Sequence, residues 1–214
     1  MSTRSGKVWA CGAALTLITG ASIALTSSSA EATPPGIPSE GTAQSELSAL
    51  TVAADGSMDG YSRDEFPHWH TVEGRCDTRE EVLKRDGTDV VVDSSCSATS
   101  GSWLSPYDGE TWTNKSDVDI DHMVPLADAW RTGASSWTID QREAFANDLD
   151  APQLWAVTDN VNQSKGDRTP DQWKPPSTDD YCQYAEAYIQ VKTKYDLTVT
   201  SAEKAALGDM LGTC

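Results

Sequence analysis

The sequence predicts an α+β fold: a small antiparallel β unit followed by helices, in one domain with two disulfides. Three observations predict it. The run "DVVVDSSC" (89–96) and the short segments of "SGSWLSPYDGETWTNKSDVDID" (100–121) are β-branched or aromatic, broken by turn residues. In "TDDYCQYAEAYIQVKTKYDL" (178–197), Tyr181, Tyr184, Ala185, Tyr188 and Val191 recur at helical spacing. Four cysteines, Cys76, Cys96, Cys182 and Cys214, remain once a leader is removed.

Residues 1–32 read as that leader. Arg4 and Lys7 precede the apolar stretch "VWACGAALTLITGASIAL", and "AEA" (Ala30–Ala32) suits a cleavage site. The competing reading is an uncleaved membrane anchor, since about 18 apolar residues just span a bilayer. Cys11 stands too early in the run for a lipid-anchor cysteine. "TPPGIPSEGTAQS" (33–45) is rich in Pro, Gly and Ser, so residues 33–58 are expected to be a flexible linker and 59–214 the folded domain.

Within that domain "CDTREEVLKRDG" (76–87) predicts a short helix, with Thr78 and Glu81 as a capping box and Gly87 as its stop. The β segments then lead directly into His122. "PLADAWRTG" predicts a helix ending at Gly133. "TIDQREAFANDL" (138–149) predicts another, with Ile139, Arg142, Phe145 and Leu149 partly on one side. "QLWAVTD" (153–159) is strand-like, and "DNVNQSKGDRTP" (159–170) allows two or three helical turns before Pro170. Thr200 and Glu203 cap a last helix over "SAEKAALGDML".

Removing the leader takes the cations from 16 to 14 and the anions from 33 to 32, a net charge of −18. Such a chain lacks the broad basic surface that holds nucleic acid by its backbone, so any such function must rest on a local cationic patch or a metal. An even number of cysteines in an exported chain implies two disulfides. Of three possible pairings, Cys76–Cys96 and Cys182–Cys214 are favoured because each brackets one local unit. A four-cysteine zinc site fits less well, since no C-x-x-C knuckle is present.

The chemistry concentrates in "DIDHMVPLADAW" (119–130). A neutral imidazole can take a proton from water near neutral pH, and the hard oxygen of Asp121 suits Mg²⁺. Adjacent strand residues face opposite ways, so Asp121 and His122 share a site only if the strand ends there, as Pro125 suggests. Downstream, Asn162 and Lys165 in "NQSKGD" lie three apart on one helical face. An amide oxygen there binds metal and an ammonium meets phosphate. Base, carboxylate, amide and lysine together make a kit for phosphodiester cleavage.

These segments, with "CDTREEVL", "GSWLSPYDG", "REAFANDL" and the closing cysteines, resemble the secreted HNH nucleases (His-Me finger, or ββα-metal, enzymes) related to the C-terminal nuclease domain of the GmrSD restriction enzymes. The resemblance covers about residues 61–214. It implies a ββα-metal core with added helices, His122 as general base, and Mg²⁺ or Mn²⁺ held by Asp121 and Asn162. Asn147 would hold the histidine ring, with Asn160 a rival for either asparagine role. Lys165 would assist catalysis at the phosphate. With the leader, the reading is a secreted, monomeric, membrane-free endonuclease acting on DNA, with RNA as a second substrate; no sequence-reading element stands out, so low sequence specificity is expected.

Plainer roles compete. Asp119 is an extension of the metal shell or a surface carboxylate. Asp77 and Arg79 reach the phosphate, or cap a helix and form a surface ion pair. His68 and His70 of "HWH" flank a core tryptophan rather than a metal. The alternative function is a catalytically inactive secreted binding or structural module of the same fold. A glycosidase using Asp119 and Asp121 ranks last, for want of a separate partner carboxylate.

Overall fold

Turn chemistry and capping residues divide the chain into short elements whose order follows the sequence patterns, with one addition near the N-terminus. The computed structural model describes residues 34–214, together with 1–3 and 6. The chain divides into Met1–Ala30 and Glu31–Cys214, and the second unit carries every element below. The leader expected over 1–32 lies outside the described residues apart from those four. Among the described residues no helix is long and apolar enough to cross a membrane.

The addition is α1 (Glu40–Ala49), capped by Ser39, whose hydroxyl accepts from the Thr42 amide. This corrects the expected linker over 33–58. Ala43 and Leu50 are buried, and Lys204 donates to the carbonyls of Ser48 and Leu50, which ties the segment to the C-terminal helix. The Pro-, Gly- and Ser-rich composition around it hid the helix, because only a thin apolar edge meets the core.

The hairpin β1 (Thr71–Glu73) and β2 (Cys76–Asp77) leads into α2 (Thr78–Asp86). The cap is one residue earlier than predicted. Asp77 accepts from the Glu80 amide, while Glu80 accepts from the Asp77 amide. An antiparallel sheet follows in the order β3 (Gly87–Val92), β4 (Ala98–Leu104), β5 (Thr111–Trp112). Gly87 is required by a close approach: a Cβ there would lie 2.5 Å from Nε1 of Trp103, which donates to the Leu83 carbonyl.

β6 (Val118–His122) then leads into α3 (Leu126–Thr132) and α4 (Ile139–Ala146), and the chain returns as β7 (Leu154–Thr158), which pairs antiparallel with β6 in a separate two-stranded sheet. α5 (Asp159–Lys165) follows at once, and α6 (Tyr181–Lys194) and α7 (Ser201–Leu211) close the chain. Both disulfides form as favoured, Cys76–Cys96 and Cys182–Cys214.

The β6–β7 ribbon lies between two apolar clusters. Val118, Ile120, Leu154 and Ala156 join Val82, Leu83 and Trp103 in the smaller one. Trp155 and Val157 join the helical core with Phe66, Tyr107, Tyr184 and Leu207. In the ladder Asp119 lies opposite Val157, and Asp121 opposite Trp155. Directly paired residues share a face, so the two aspartates project on the side where α5 packs. Fully burying each aromatic or large aliphatic side chain contributes roughly 1.5–3 kcal/mol, enough to fix this register strongly.

Candidate active site

β6 stops at His122, and that stop lets adjacent residues serve one place. Beyond it the Met123 amide donates to the Gln153 carbonyl, and the Gln153 side chain clamps Val124 at both backbone groups. Its Oε1 accepts from the Val124 amide at 3.1 Å, and its Nε2 donates to the Val124 carbonyl at 2.9 Å. Gln153 is fully buried. It therefore sets where the chain turns after the histidine, a role its place at the start of an apolar strand did not announce.

Asp121, His122 and Asn162 line one cleft of about 180 Å³, with Arg63, Gln163, Gly166 and Asp167 on its wall. Gly166 ends α5 at φ +52°, a left-handed turn that carries the chain around the cleft rim.

His122 is 5 % exposed. Its Nε2 faces the Ala146 carbonyl at 2.9 Å. Only a protonated nitrogen can donate there, so Nδ1 keeps its lone pair. The ring stacks on Trp69, 5.6 Å between centroids, and His68 meets it edge-on at 6.2 Å. Trp69 adopts φ +59°, a conformation rare for a bulky residue and sustained here by its surroundings. Burial lowers the His122 pKa from 6.5 to about 3, with the positive charges of Arg63 and Lys165 acting in the same direction and the Ala146 hydrogen bond against them. The imidazole is thus neutral at physiological pH, with one nitrogen open to accept a proton.

The Asp121 carboxylate takes the Tyr107 hydroxyl at 2.6 Å and the Lys165 ammonium at 2.8 Å. Burial pushes its pKa up, and Lys165 and Tyr107 pull it down. Asn162 turns its amide nitrogen to Asp119 at 3.3 Å, which leaves its oxygen for the cleft. One carboxylate and one amide oxygen fit a hard divalent cation that keeps most of its own water.

Several sequence-based expectations change here. Lys165 is fully buried, donating to Asp121 and to the His122 carbonyl, so it fixes the strand end and does not reach a phosphate. Asn147 does not hold the His122 ring. Its Oδ1 accepts from the Thr78 hydroxyl at 2.8 Å, and its Nδ2 donates to the carbonyls of Pro67 and Glu143. The carbonyl of Ala146, one residue earlier, makes the contact with the ring instead. Asn160 is exposed on α5 and lies outside the cleft lining. Asp77 caps α2, and Arg79 donates to the Val118 carbonyl at 2.9 Å, so both brace the fold. His70 meets Glu143 at 3.1 Å. The sequence reading missed Tyr107, Gln153 and Arg63. Tyr107 sat in "SPYDG", read only as a turn, and nothing local marked Arg63.

The cleft thus sets a buried imidazole beside a carboxylate and an amide oxygen. Residues 77–210 match the family described as the C-terminal domain of GmrSD restriction endonucleases, and the chain belongs to that family. A protein of Arthroderma benhamiae described as "Uncharacterized secreted protein" is 66% identical over 182 residues, covering 85% of this chain and 89% of the relative. No solved structure matches.

Proposed function

We propose that this secreted chain is an endonuclease that hydrolyses phosphodiester bonds in DNA with low sequence specificity, using His122 as general base and one divalent metal. The observation that carries it is the setting of His122: its Nε2 lies 2.9 Å from the Ala146 carbonyl, its Nδ1 has no partner among the described residues, and the ring lines the cleft. Membership in a restriction-endonuclease family supports a nucleic-acid substrate. In this reading β6, β7 and α5 are the ββα-metal finger. The protein acts as a monomer, and RNA is a second substrate to assay.

Nδ1 takes a proton from a water. The resulting hydroxide attacks phosphorus, the bond to the leaving sugar oxygen breaks, and that oxygen takes up a proton from solvent. Asp121 and Asn162 would hold Mg²⁺ or Mn²⁺, which supplies Lewis acidity toward water and offsets charge on the phosphate. That help matters because a buried imidazole is a weak base. Lys165 and Tyr107 hold the Asp121 carboxylate in place, while Trp69 covers the imidazole face and keeps bulk water from it. Binding would follow the backbone rather than the sequence.

The test is plasmid nicking by the mature, oxidised chain with Mg²⁺ or Mn²⁺ and with EDTA, beside His122→Ala. Expected is metal-dependent cleavage that the variant loses by about 10²–10⁴-fold while keeping its fold. A folded wild type that cuts nothing with any divalent metal would sink the proposal and leave the binding-module reading.

A further inference from the structure

The cleft has a cation that the matched family region does not supply. Arg63 lies upstream of residue 77, on a single 3₁₀ turn (Arg63–Glu65). That turn is firmly anchored. Arg142 donates to the Glu65 carbonyl at 2.8 Å and to its carboxylate at 3.0 Å. Phe66 is buried among Tyr61, Trp130 and Phe145. The His68 Nδ1 donates to the Phe66 carbonyl at 2.7 Å, so its Nε2 can accept from the Arg63 Nε–H, at 3.4 Å.

The guanidinium is therefore aimed by its inner nitrogen. Its two terminal nitrogens meet no partner among the described residues. Arg63 is exposed, and among the described residues it is the one cation on a wall that also carries the carboxylates of Asp121 and Asp167. Lys165 cannot substitute for it, being buried and paired. A chain with net charge −17 needs a local positive group wherever it admits a phosphate. The fork of an arginine fits two phosphate oxygens better than a point charge does.

We infer that Arg63 grips a backbone phosphate of the bound nucleic acid and that His68 orients it, so the segment ahead of the family region completes the site. This rests on the nuclease reading, and the test separates the two. Steady-state cleavage of a duplex would be measured for the full mature chain, Arg63→Ala, Arg63→Lys and, as an exposed control, Lys84→Ala. Duplex binding would be followed by anisotropy over a salt series in the His122→Ala background, with and without Arg63→Ala.

Expected is a loss of kcat/KM of at least tenfold for Arg63→Ala, partial recovery in Arg63→Lys and no change in the control. The binding slope against log salt should flatten by about 1, the signature of one lost phosphate contact. Unchanged kcat/KM and slope in Arg63→Ala, with a wild type that cleaves, would overturn the Arg63 assignment alone. A wild type that cuts nothing but binds with a slope that depends on Arg63 would keep the phosphate contact and remove the nuclease. No measurable binding at any salt, with no cleavage, would remove both.

Discussion

Lys165 and Lys192 are both fully buried, and each holds an aspartate that also accepts from a tyrosine, yet they sit in opposite settings. Lys165 meets Asp121 at 2.8 Å beside the Tyr107 hydroxyl. Lys192 meets Asp128 at 2.6 Å beside the Tyr188 hydroxyl, with Glu203 at 3.6 Å. The second cluster joins α3, α6 and α7 inside the helical core, while the first closes the end of β6 against α5. Buried charges need partners in either place: Lys165 and Tyr107 supply them to Asp121, and Lys192 and Tyr188 supply them to Oδ2 of Asp128. The same three residue types therefore define no activity. What separates them, among the described residues, is a histidine lining the cleft and an arginine whose terminal nitrogens have no partner, both beside the first cluster.

The comparison breaks most sharply at the lysines. Lys165→Met should lose about 3–5 kcal/mol of stability, since it takes the cation from the buried Asp121, and Lys192→Met somewhat less, since Asp128 keeps Arg131 at 3.6 Å. Urea denaturation measures that. Cleavage per folded molecule should then part them: nearly abolished in Lys165→Met, where Asp121 loses its position, and within threefold of wild type in Lys192→Met. Equal loss of activity in both would show that the helical cluster also controls the cleft.

Acid should also distinguish the regions. His122 has a folded pKa of about 3 against 6.5 when free, so on acidification the unfolded chain takes up its proton first. Its neutral burial favours folding above pH 6.5, and that contribution is lost as pH falls from about 6.5 toward 3. Relative to His122→Gln, wild type should lose roughly 2 kcal/mol by pH 5. The raised pKa values of Asp121 and Glu203 work in the opposite sense, because a buried carboxyl is easier to keep once protonated. They are common to both proteins and cancel in the difference. A difference independent of pH would mean that water reaches the imidazole freely.

How much of this was legible in the sequence depended on whether a signal was local. The helices from α2 onward announced themselves by caps and spacing, and the strand end at His122 by Pro125. The pair Asp121 and His122, and the partner Asn162, followed from residue type and short separation. Contacts across long separations were not legible. Arg63 reaches the cleft because Phe66 anchors its turn in the core, and Tyr107 reaches Asp121 because the β4–β5 connection folds under the ribbon. Lys165 misled for a related reason: on a helix face beside Asn162 it looks available, and only the packing of α5 on β6 buries it.

The smallest expected effect concerns Asp77, read in the sequence either as reaching the phosphate with Arg79 or as a helix cap. It accepts from the Glu80 amide at 2.8 Å and receives the reciprocal contact, a complete capping box on α2. Asp77→Ala should cost about 1 kcal/mol, the usual value of a lost helix cap, and Asp77→Asn less, because the amide oxygen still accepts. Cleavage per folded molecule should stay at the wild-type level in both. The cap holds α2, α2 holds Arg79, and Arg79 fixes the start of β6 through the Val118 carbonyl, four residues from His122. If Asp77→Asn kept full stability and still lost cleavage, its carboxylate would belong to the site, and the line between scaffold and chemistry would have to move to include α2.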